Sequence, residues 1–515
     1  MVRALLSKVL SYGLVGIRGF QVTVEVNLAF GLPSFDIVGL PDAAVKESRE
    51  RVRAALKNGG MGFPDRKITV NLAPADQKKE GPAFDLPVAL GVLACMDALP
   101  PDALAGIAVM GELSLDGNVR AVRGALPMVI SALEDGVKTV LLPRENLNEV
   151  RCVDGLTILP VSSLAEAIAY FKGEVPIEPF APLRYEDVLT ERASAFDFKY
   201  VRGQKGAKRA LEIAAAGGHN ILMIGPPGSG KTLMAKCVPS ILPDMTFQEA
   251  LEVTRIHSVA GLLTESGLLA ERPFRSPHHT ASHAALVGGG QNAMPGEVSK
   301  AHNGVLFLDE LPEYGRDVLE ALRQPLEDGV VTVTRVSAQT TYPARFMLVC
   351  SMNPCPCGYY GSRQRDCRCT ASDIRRYTNK ISGPLIDRID MHVEVESIPP
   401  GELSGGAEEE RSSDIRARVQ AARDVQRERY ESFGGRVGCN AQLDAGTLLK
   451  ACPMEKAAKE LLALSSERLE LSNRAYTRIM KVARTIADLA GNEVIGAEHV
   501  AEAVQYRAAN RKYWR

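Results

Sequence analysis

The sequence predicts an α/β protein of three domains, two α/β domains followed by a helical one. In residues 1–172 short strand patterns alternate with helix patterns, and residues 195–396 repeat this alternation around a glycine-rich turn. Residues 414–515 instead carry long amphipathic helix patterns. Between these domains, the proline-rich segment 173–194 is predicted to be a linker. Segment 397–413, rich in proline, glycine and acidic residues, is predicted to be a flexible loop.

Individual elements of the first domain follow from residue patterns. The predicted strands are the alternating segment 20–28 and the apolar segments 67–72 and 139–142. Helices are predicted over residues 42–57 and 84–96. Asp42, which follows a proline, is a suitable N-cap because its carboxylate can accept from the first free backbone N–H groups. The first 172 residues therefore form an α/β domain of their own.

Length and composition limit the class of protein. With 515 residues the chain is long enough for about three to four domains. Its formal net charge of −1 gives no global field that would attract nucleic acid, so any such binding has to be local. The ten cysteines are mostly scattered singly, and no apolar run reaches the ~18–20 residues needed to span a bilayer. We therefore expect a cytoplasmic protein without a signal peptide or membrane contact.

Residues 225–232 match a phosphate-binding loop. Their sequence, Gly-Pro-Pro-Gly-Ser-Gly-Lys-Thr, fits G-x-x-x-x-G-K-[ST] and follows the apolar run 221–224, a predicted buried strand. The glycines let backbone N–H groups point at polyphosphate oxygens. Lys231 is predicted to reach the β- and γ-phosphates, and Thr232 to ligate magnesium.

A second motif follows at a domain-scale distance. Residues 302–310 contain a turn, four apolar residues, and then Asp309 and Glu310. In nucleotide hydrolases such an aspartate holds magnesium, and the neighbouring glutamate polarises the attacking water. Together the two motifs predict binding and hydrolysis of ATP with Mg²⁺. The predicted nucleotide-binding residues are Gly225, Pro226, Pro227, Gly228, Ser229, Gly230, Lys231, Thr232 and Asp309.

Four further features resemble the ring-forming ATPases of the AAA+ superfamily. A strand pattern ends in Asn353, where that superfamily keeps a polar sensor of the γ-phosphate. Arg388 matches the arginine that reaches a neighbouring subunit's nucleotide, and Arg474 opens a helix where a second sensor arginine folds onto the phosphates. Residues 197–204 resemble the segment beside the adenine. The resemblance implies catalytic roles for Lys231, Glu310, Asn353, Arg388 and Arg474, and a helical lid domain at the C-terminus.

A closer resemblance covers essentially the whole chain. Segments 272–280, 288–290, 295–297 and 301–310 resemble the magnesium-chelatase-like ATPases and, more narrowly, the YifB/ComM family. This resemblance implies a homo-hexameric motor that drives branch migration of DNA junctions in natural transformation, with recombination proteins as candidate partners. The alternative is a chelatase-type remodeller that uses ATP to open a protein partner, with no nucleic acid in its pore.

The adjacent His278 and His279 within the first of these segments do not predict a metal site. Neighbouring side chains on one element point in different directions and cannot easily chelate one ion. A structural role or a contact with phosphate is the expectation.

Four cysteines are concentrated in the loop 355–369. Cys355 and Cys357 form one C-x-C pair, and Cys367 and Cys369 form another. Four thiolates on one small loop can complete a tetrahedral, structural zinc site. C-x-C is less typical of zinc than C-x-x-C, and cytoplasmic thiols can stay reduced, so free thiols are the alternative.

The first domain resembles the Lon protease domain. Segment 79–84 matches the surroundings of Lon's nucleophilic serine, and segment 111–126 matches the approach to its lysine. Ala83 stands at the serine position and Leu126 at the lysine position. A Ser–Lys dyad needs a hydroxyl and an amine, and both are missing. The domain is therefore predicted to be non-proteolytic, which argues against an ATP-dependent protease.

Residues 330–341 alternate, turn and return as a β-hairpin does. They resemble the pore hairpin of related replicative helicases, in which a basic residue occupies the place of Arg335. A hexamer would form a ring of these arginines, a local electrostatic funnel for DNA. The alternative is an exposed arginine on a solvated hairpin.

Overall fold

The structure is a computed structural model, and it describes residues 6–189, 195–263, 267–289, 293–334, 339–362, 365–398, 409–434 and 437–514. Arg335 lies outside these residues, as do parts of the predicted linker and of the predicted flexible loop. The chain forms two compact units. One consists of Met1–Glu191 and Ala250–Ala270, and the other of Arg192–Glu249 and Glu271–Arg515. Among the described residues, no helix has the length and apolarity needed to cross a membrane.

The first unit is built on a seven-stranded mixed sheet in the order β3-β4-β2-β1-β5-β8-β9. Its strands, with the small ribbon β6–β7, are β1 (Leu6–Val15), β2 (Arg18–Ala29), β3 (Ser34–Val38), β4 (Lys67–Ala73), β5 (Ile107–Val109), β6 (Glu112–Leu113), β7 (Val119–Arg120), β8 (Thr139–Pro143) and β9 (Thr157–Val161). The predicted strands at 20–28, 67–72 and 139–142 are confirmed as β2, β4 and β8. Alternate valines of β2, at 22, 24 and 26, are fully buried, as the period of a half-buried strand requires.

Helices cover this sheet. They are α1 (Ala43–Asn58), α2 (Asp85–Cys95), α3 (Ala125–Glu134), α4 (Leu147–Val150), α5 (Leu164–Phe171) and α6 (Tyr185–Val188). The predicted N-cap is confirmed, because Asp42 Oδ1 accepts from the Val45 N–H at 2.8 Å. The apolar α2 packs against β1 and β2 and is buried almost throughout. Most of α9 (Phe247–Val259) also lies in this unit, where the Ser258 hydroxyl donates to Glu149.

The second unit contains a five-stranded parallel sheet in the order β11-β14-β17-β10-β18. Its strands and those of two small antiparallel ribbons are β10 (Ile221–Ile224), β11 (Phe274–Arg275), β12 (Gly288–Gly289), β13 (Met294–Pro295), β14 (Val305–Leu308), β15 (Val330–Thr334), β16 (Gln339–Pro343), β17 (Met347–Met352) and β18 (Met391–Glu394). The central strands β10, β14 and β17 are buried at every residue, as parallel strands covered on both faces are.

Helices of the second unit flank the sheet and form its C-terminal region. They are α7 (Lys205–Gly217), α8 (Lys231–Ile241), α10 (His283–Val287), α11 (Glu297–Lys300), α12 (Arg316–Ala321), α13 (Arg323–Asp328), α14 (Ala371–Thr378), α15 (Gly383–Ile386), α16 (Ser412–Glu431), α17 (Ala445–Ala451), α18 (Lys456–Arg468), α19 (Asn473–Leu489) and α20 (Ala497–Tyr513). The predicted helical C-terminal region is therefore confirmed, and Ser472 caps α19 by accepting from the Ala475 N–H. Together the two units confirm the predicted fold class.

Candidate active site

The carboxyl ends of the parallel strands in the second unit bring the predicted nucleotide residues together. Residues 225–232 follow β10, Asp309 and Glu310 follow β14, and Asn353 follows β17. Because β17 pairs with both β10 and β14, the three segments end side by side. This edge is where open α/β sheets bind ligands.

The loop of residues 225–232, the P-loop, turns directly into α8. Gly228 and Gly230 have φ angles of +76° and +89°, a region that disfavours residues with a side chain. Gly225 lies so close to the residue after β18 that a Cβ would stand 2.2 Å from the Val395 carbonyl oxygen. The glycines of the motif are thus required by the backbone path, and the amino end of α8 faces the site, as phosphate binding requires.

Lys231 is buried within this loop. Its Nζ donates to the carbonyl oxygens of Gly225 at 2.7 Å and Pro226 at 2.8 Å, and lies 3.4 Å from Asn353 Oδ1. Burial lowers the pKa of Lys231 to about 8, while the carboxylates of Asp309 and the next residue oppose the shift. The lysine and the predicted sensor asparagine therefore share one site.

Thr232 and Asp309 are in direct contact. The Thr232 hydroxyl donates to Asp309 Oδ2 at 2.8 Å, and the Ser351 hydroxyl donates to the other carboxylate oxygen. Hydroxyl and carboxylate oxygens are the ligands that Mg²⁺ prefers. Ser351 was missed from the sequence. It lies in β17 next to β14, a pairing that only the sheet order reveals.

Glu310 stands at the exposed mouth of the site with φ at +53°, an uncommon backbone conformation for glutamate. The Nδ1 atom of His279 lies 4.0 Å from Glu310 Oε2, and the His278 ring stands 4.1 Å from the His279 ring. The Tyr314 hydroxyl donates to the Pro277 carbonyl at 2.6 Å, which attaches the histidine segment to the chain that follows Glu310. The two histidines therefore border the candidate catalytic base.

Arg388 and Arg474 meet at a different place. Both contact Glu327. Arg388 forms a hydrogen-bonded ion pair with its carboxylate, and Arg474 Nη2 lies 3.4 Å from Glu327 Oε1. Arg388 is buried and also donates to the Pro384 carbonyl at 2.6 Å, whereas Arg474 is 61% exposed. Within the described part of the chain, no hydrogen bond or ion pair joins either arginine to the P-loop. The roles implied for them stay predictions.

Known proteins match almost the whole chain. Three protein-family models match the chain. "Subunit ChlI of Mg-chelatase" matches residues 24–146, "Magnesium chelatase, subunit ChlI" matches residues 197–403, and "Magnesium chelatase, subunit ChlI C-terminal" matches residues 409–507. Competence protein ComM of Haemophilus influenzae is 42% identical over 98% of both chains, and the uncharacterized protein YifB of Escherichia coli is 43% identical over 96% of both. The chain belongs to the YifB/ComM family of magnesium-chelatase-like AAA+ ATPases. Membership implies ATPase activity.

Part of the chain is also similar to Lon proteases. Lon protease 2 of Bacillus subtilis is 31% identical over 29% of both chains. Ala83 lies buried on the 3-10 turn Pro82–Phe84, and its carbonyl accepts from the Gly111 N–H at 2.9 Å. Leu126 is fully buried in α3, where its N–H donates to Glu149 Oε1 at 2.8 Å. Neither position presents a nucleophile or an amine.

The four cysteines of loop 355–369 converge. Their Sγ atoms all lie within 4.8 Å of one another. The Cys355 Sγ lies 3.3 Å from that of Cys357 and 3.7 Å from that of Cys367, and the last two are 3.6 Å apart. A tetrahedral site with Zn–S bonds of about 2.3 Å places sulfurs about 3.8 Å apart. The cluster therefore has the dimensions and ligand chemistry of a four-thiolate zinc site.

The predicted hairpin is confirmed as β15 and β16, which pair from Val330↔Pro343 to Thr334↔Gln339. Its tip, with Arg335, lies outside the described residues. On the described part, Val331 and Val333 are buried, and the Thr332 and Thr341 hydroxyls of the opposite face lie 3.3 Å apart. A DNA contact by Arg335 stays a prediction.

Proposed function

We propose that the chain is the subunit of a homo-hexameric, Mg²⁺-dependent ATPase that moves branched DNA, in branch migration of recombination junctions during natural transformation. One observation carries the motor part. Lys231, Thr232, Asp309 and Asn353 meet at one sheet edge, whereas Arg388 and Arg474 meet elsewhere on Glu327. A second subunit would bring an arginine such as Arg388 to the nucleotide.

Each residue has a role in this proposal. Lys231 holds the β- and γ-phosphates, and Asn353 contacts the γ-phosphate. Thr232 and Asp309 hold Mg²⁺, which neutralises phosphate charge and orients the nucleotide. Glu310 accepts the proton of the attacking water.

Arg388 acts on the nucleotide of the neighbouring subunit, and Arg474 is the second sensor arginine, which folds onto the phosphates. Their positive charge stabilises the charge that develops on the γ-phosphate in the transition state. Glu327, which both contact, holds the two guanidinium groups close together. A shared partner of this kind would let one interface position both groups.

We also propose that Cys355, Cys357, Cys367 and Cys369 hold a structural Zn²⁺. The support is the convergence of their four Sγ atoms. Protein purified without chelator should contain about one zinc per chain, as one four-thiolate site would hold. Substoichiometric zinc together with four freely titratable thiols in the native protein would contradict this site.

The DNA part of the proposal rests on the name of the competence protein ComM and on the hairpin β15–β16. A ring of Arg335 side chains would hold the phosphate backbone at one level of the pore, with a grip that salt weakens. The alternative, a remodeller of a protein partner, is favoured by the chelatase description of the matching models. If DNA is the substrate, DNA should stimulate ATP hydrolysis. If a protein partner is the substrate, DNA should leave hydrolysis unchanged.

The test combines DNA-stimulated ATPase and junction-migration assays on Arg335→Ala, with Arg335→Lys as a control that keeps the charge. We expect Arg335→Ala to retain basal hydrolysis but to lose DNA stimulation and junction movement, with a shallower salt dependence of binding. Arg335→Lys should retain most of each. Parental junction movement by Arg335→Ala would exclude the hairpin as the grip, and an ATPase indifferent to every DNA tested would favour the protein remodeller.

A further inference from the structure

The cysteine loop packs directly against the P-loop. Gly358, between the two C-x-C pairs, is buried with φ at +85°. A Cβ at this position would lie 2.6 Å from Cδ and 2.9 Å from Cγ of Pro227, the third residue of the P-loop. Real Cβ atoms do not approach this closely, so only glycine fits where the loop backbone meets the Pro227 ring. The wall of the nucleotide loop on this side is therefore the cysteine loop.

The same loop is tied to the site at its beginning. Cys355 comes two residues after Asn353, whose Oδ1 lies 3.4 Å from Lys231 Nζ. Within the loop, the Gly358 N–H donates to the Cys355 carbonyl at 2.9 Å, and the Tyr360 N–H donates to the Cys355 Sγ at 3.3 Å. A displacement of Cys355 therefore moves both Gly358 and the end of the strand that carries the sensor asparagine.

We propose that the cysteine site positions the P-loop for ATP, with Gly358 as the positioning residue, so that metal occupancy sets nucleotide affinity. This inference rests on the proposed zinc site. Nine residues separate the C-x-C pairs, and ordering such a loop costs conformational entropy that metal ligation can offset. With the metal bound, Gly358 stays against Pro227, and the P-loop keeps the shape that presents its N–H groups to phosphate.

The chain offers a matched control for Gly358 in the same loop. Gly361 also has a positive φ, +75°, but a Cβ there would meet only the Lys512 side chain, at 3.5 Å from Nζ. Alanine at either position strains a left-handed backbone in the same way. The difference between Gly358→Ala and Gly361→Ala therefore reports the contact with Pro227.

The experiment measures zinc per chain, affinity for a fluorescent ATP analogue, KM and kcat for ATP, and the unfolding temperature. We expect Gly358→Ala to keep its zinc and to raise both Kd and KM about tenfold, while kcat falls less than about twofold. Gly361→Ala should bind ATP as the parent does and show a similar unfolding temperature to Gly358→Ala. Cys367→Ser combined with Cys369→Ser should lose zinc and weaken nucleotide binding in the same direction.

The outcomes separate the inference from the zinc proposal. A parent protein that lacks zinc would overturn both. A parent that holds zinc, but whose ATP affinity changes neither on chelation nor in Gly358→Ala, would overturn the positioning role alone. Equal loss of affinity in Gly358→Ala and Gly361→Ala would also overturn it, because general loop strain would then be the cause.

Discussion

The nucleotide site of the second unit and the Lon-like region of the first unit use their polar groups in opposite ways. At the P-loop, Thr232 and Glu310 are exposed, and Asp309 is only partly buried. In the Lon-like region, Asp85 is fully buried between the Ser48 hydroxyl, the Arg51 guanidinium at 2.6 Å and a backbone N–H. One region holds charged groups that can still meet a ligand, and in the other they hold the fold together.

Buried hydrogen bonds surround the two positions that match Lon's dyad. Glu149 accepts from the backbone at Leu126, from Asn146 and from Ser258, so its carboxylate is occupied by the interior of the unit. Lys79, near Ala83 in sequence, is fully buried and donates to the Gln77 carbonyl at 2.7 Å. Hydrogen bonds of this kind stabilise a scaffold, since unpaired buried groups would be costly. The prediction that the first unit is non-proteolytic stays a prediction.

The largest expected effects are at Lys231 and at Glu310, the proposed catalytic base. Glu310→Gln removes the group proposed to accept the water's proton but leaves Lys231, Thr232 and Asp309, so ATP should still bind. Steady-state hydrolysis should fall on the order of 10²–10⁴-fold, the usual contribution of a general base. Lys231→Ala should abolish hydrolysis and also weaken ATP binding.

Glu313→Gln is the matched control for the base. Glu313 lies three residues further along, is exposed, and pairs with Lys380 at 3.3 Å on the surface. Its loss should leave hydrolysis near the parental rate, because surface ion pairs contribute little. Normal turnover by Glu310→Gln would remove the assignment of the base.

A second group of variants tests whether Arg388 acts on the nucleotide of a neighbouring subunit. Arg388→Ala should lose hydrolysis and retain ATP affinity, because the guanidinium is proposed to act on a neighbour's nucleotide. Mixing it with Glu310→Gln should restore part of the turnover, since a mixed ring contains interfaces with an intact base on one side and an intact arginine on the other. Absence of rescue in rings shown to be mixed would indicate that Arg388 works within its own subunit or not at all.

Sequence periodicity and motif spacing predicted the strands that carry the nucleotide residues, because buried parallel strands and glycine-rich turns have strong local patterns. They did not predict Ser351 on Asp309 or Glu327 between two arginines, since these contacts join segments distant in sequence. Nor did they predict that residues 250–270 group with the first unit. Tertiary packing decides each of these, and no local residue pattern encodes it.

A pH dependence is expected in the first unit. Burial raises the pKa of Glu149 above its ordinary value, although its hydrogen bonds oppose the shift. A raised pKa in the fold means that this group's stabilising contribution is complete below the unfolded-state value of about 4.3 and is lost as pH rises through the folded value. The unfolding temperature of the parent should therefore fall as pH rises from the unfolded-state pKa to the folded-state pKa. The comparison is with Glu149→Gln, whose side chain cannot titrate.

Calorimetry of both proteins between pH 4 and 8 measures this difference, which we expect to widen as pH rises. Glu145→Gln is the control, because Glu145 lies in the same region and accepts from the Ala121 N–H at an exposed position. Parallel pH profiles for the parent and Glu149→Gln would show that the buried carboxylate does not titrate in this range.

The smallest effect is expected for a substitution at Ala83, in the Lon-like region. Ala83→Ser returns a hydroxyl to the position that matches Lon's nucleophile, but Leu126 leaves no amine to take its proton. Lys79 is not placed to substitute, since its ammonium is buried and donates to the Gln77 carbonyl. We expect no casein degradation, no labelling by a serine-directed fluorophosphonate, and a stability change within about 1 kcal/mol. Labelling of the introduced serine would show that the first unit still activates a nucleophile at this position. The Lon-like region would then be a catalytic site without its serine hydroxyl, rather than a scaffold.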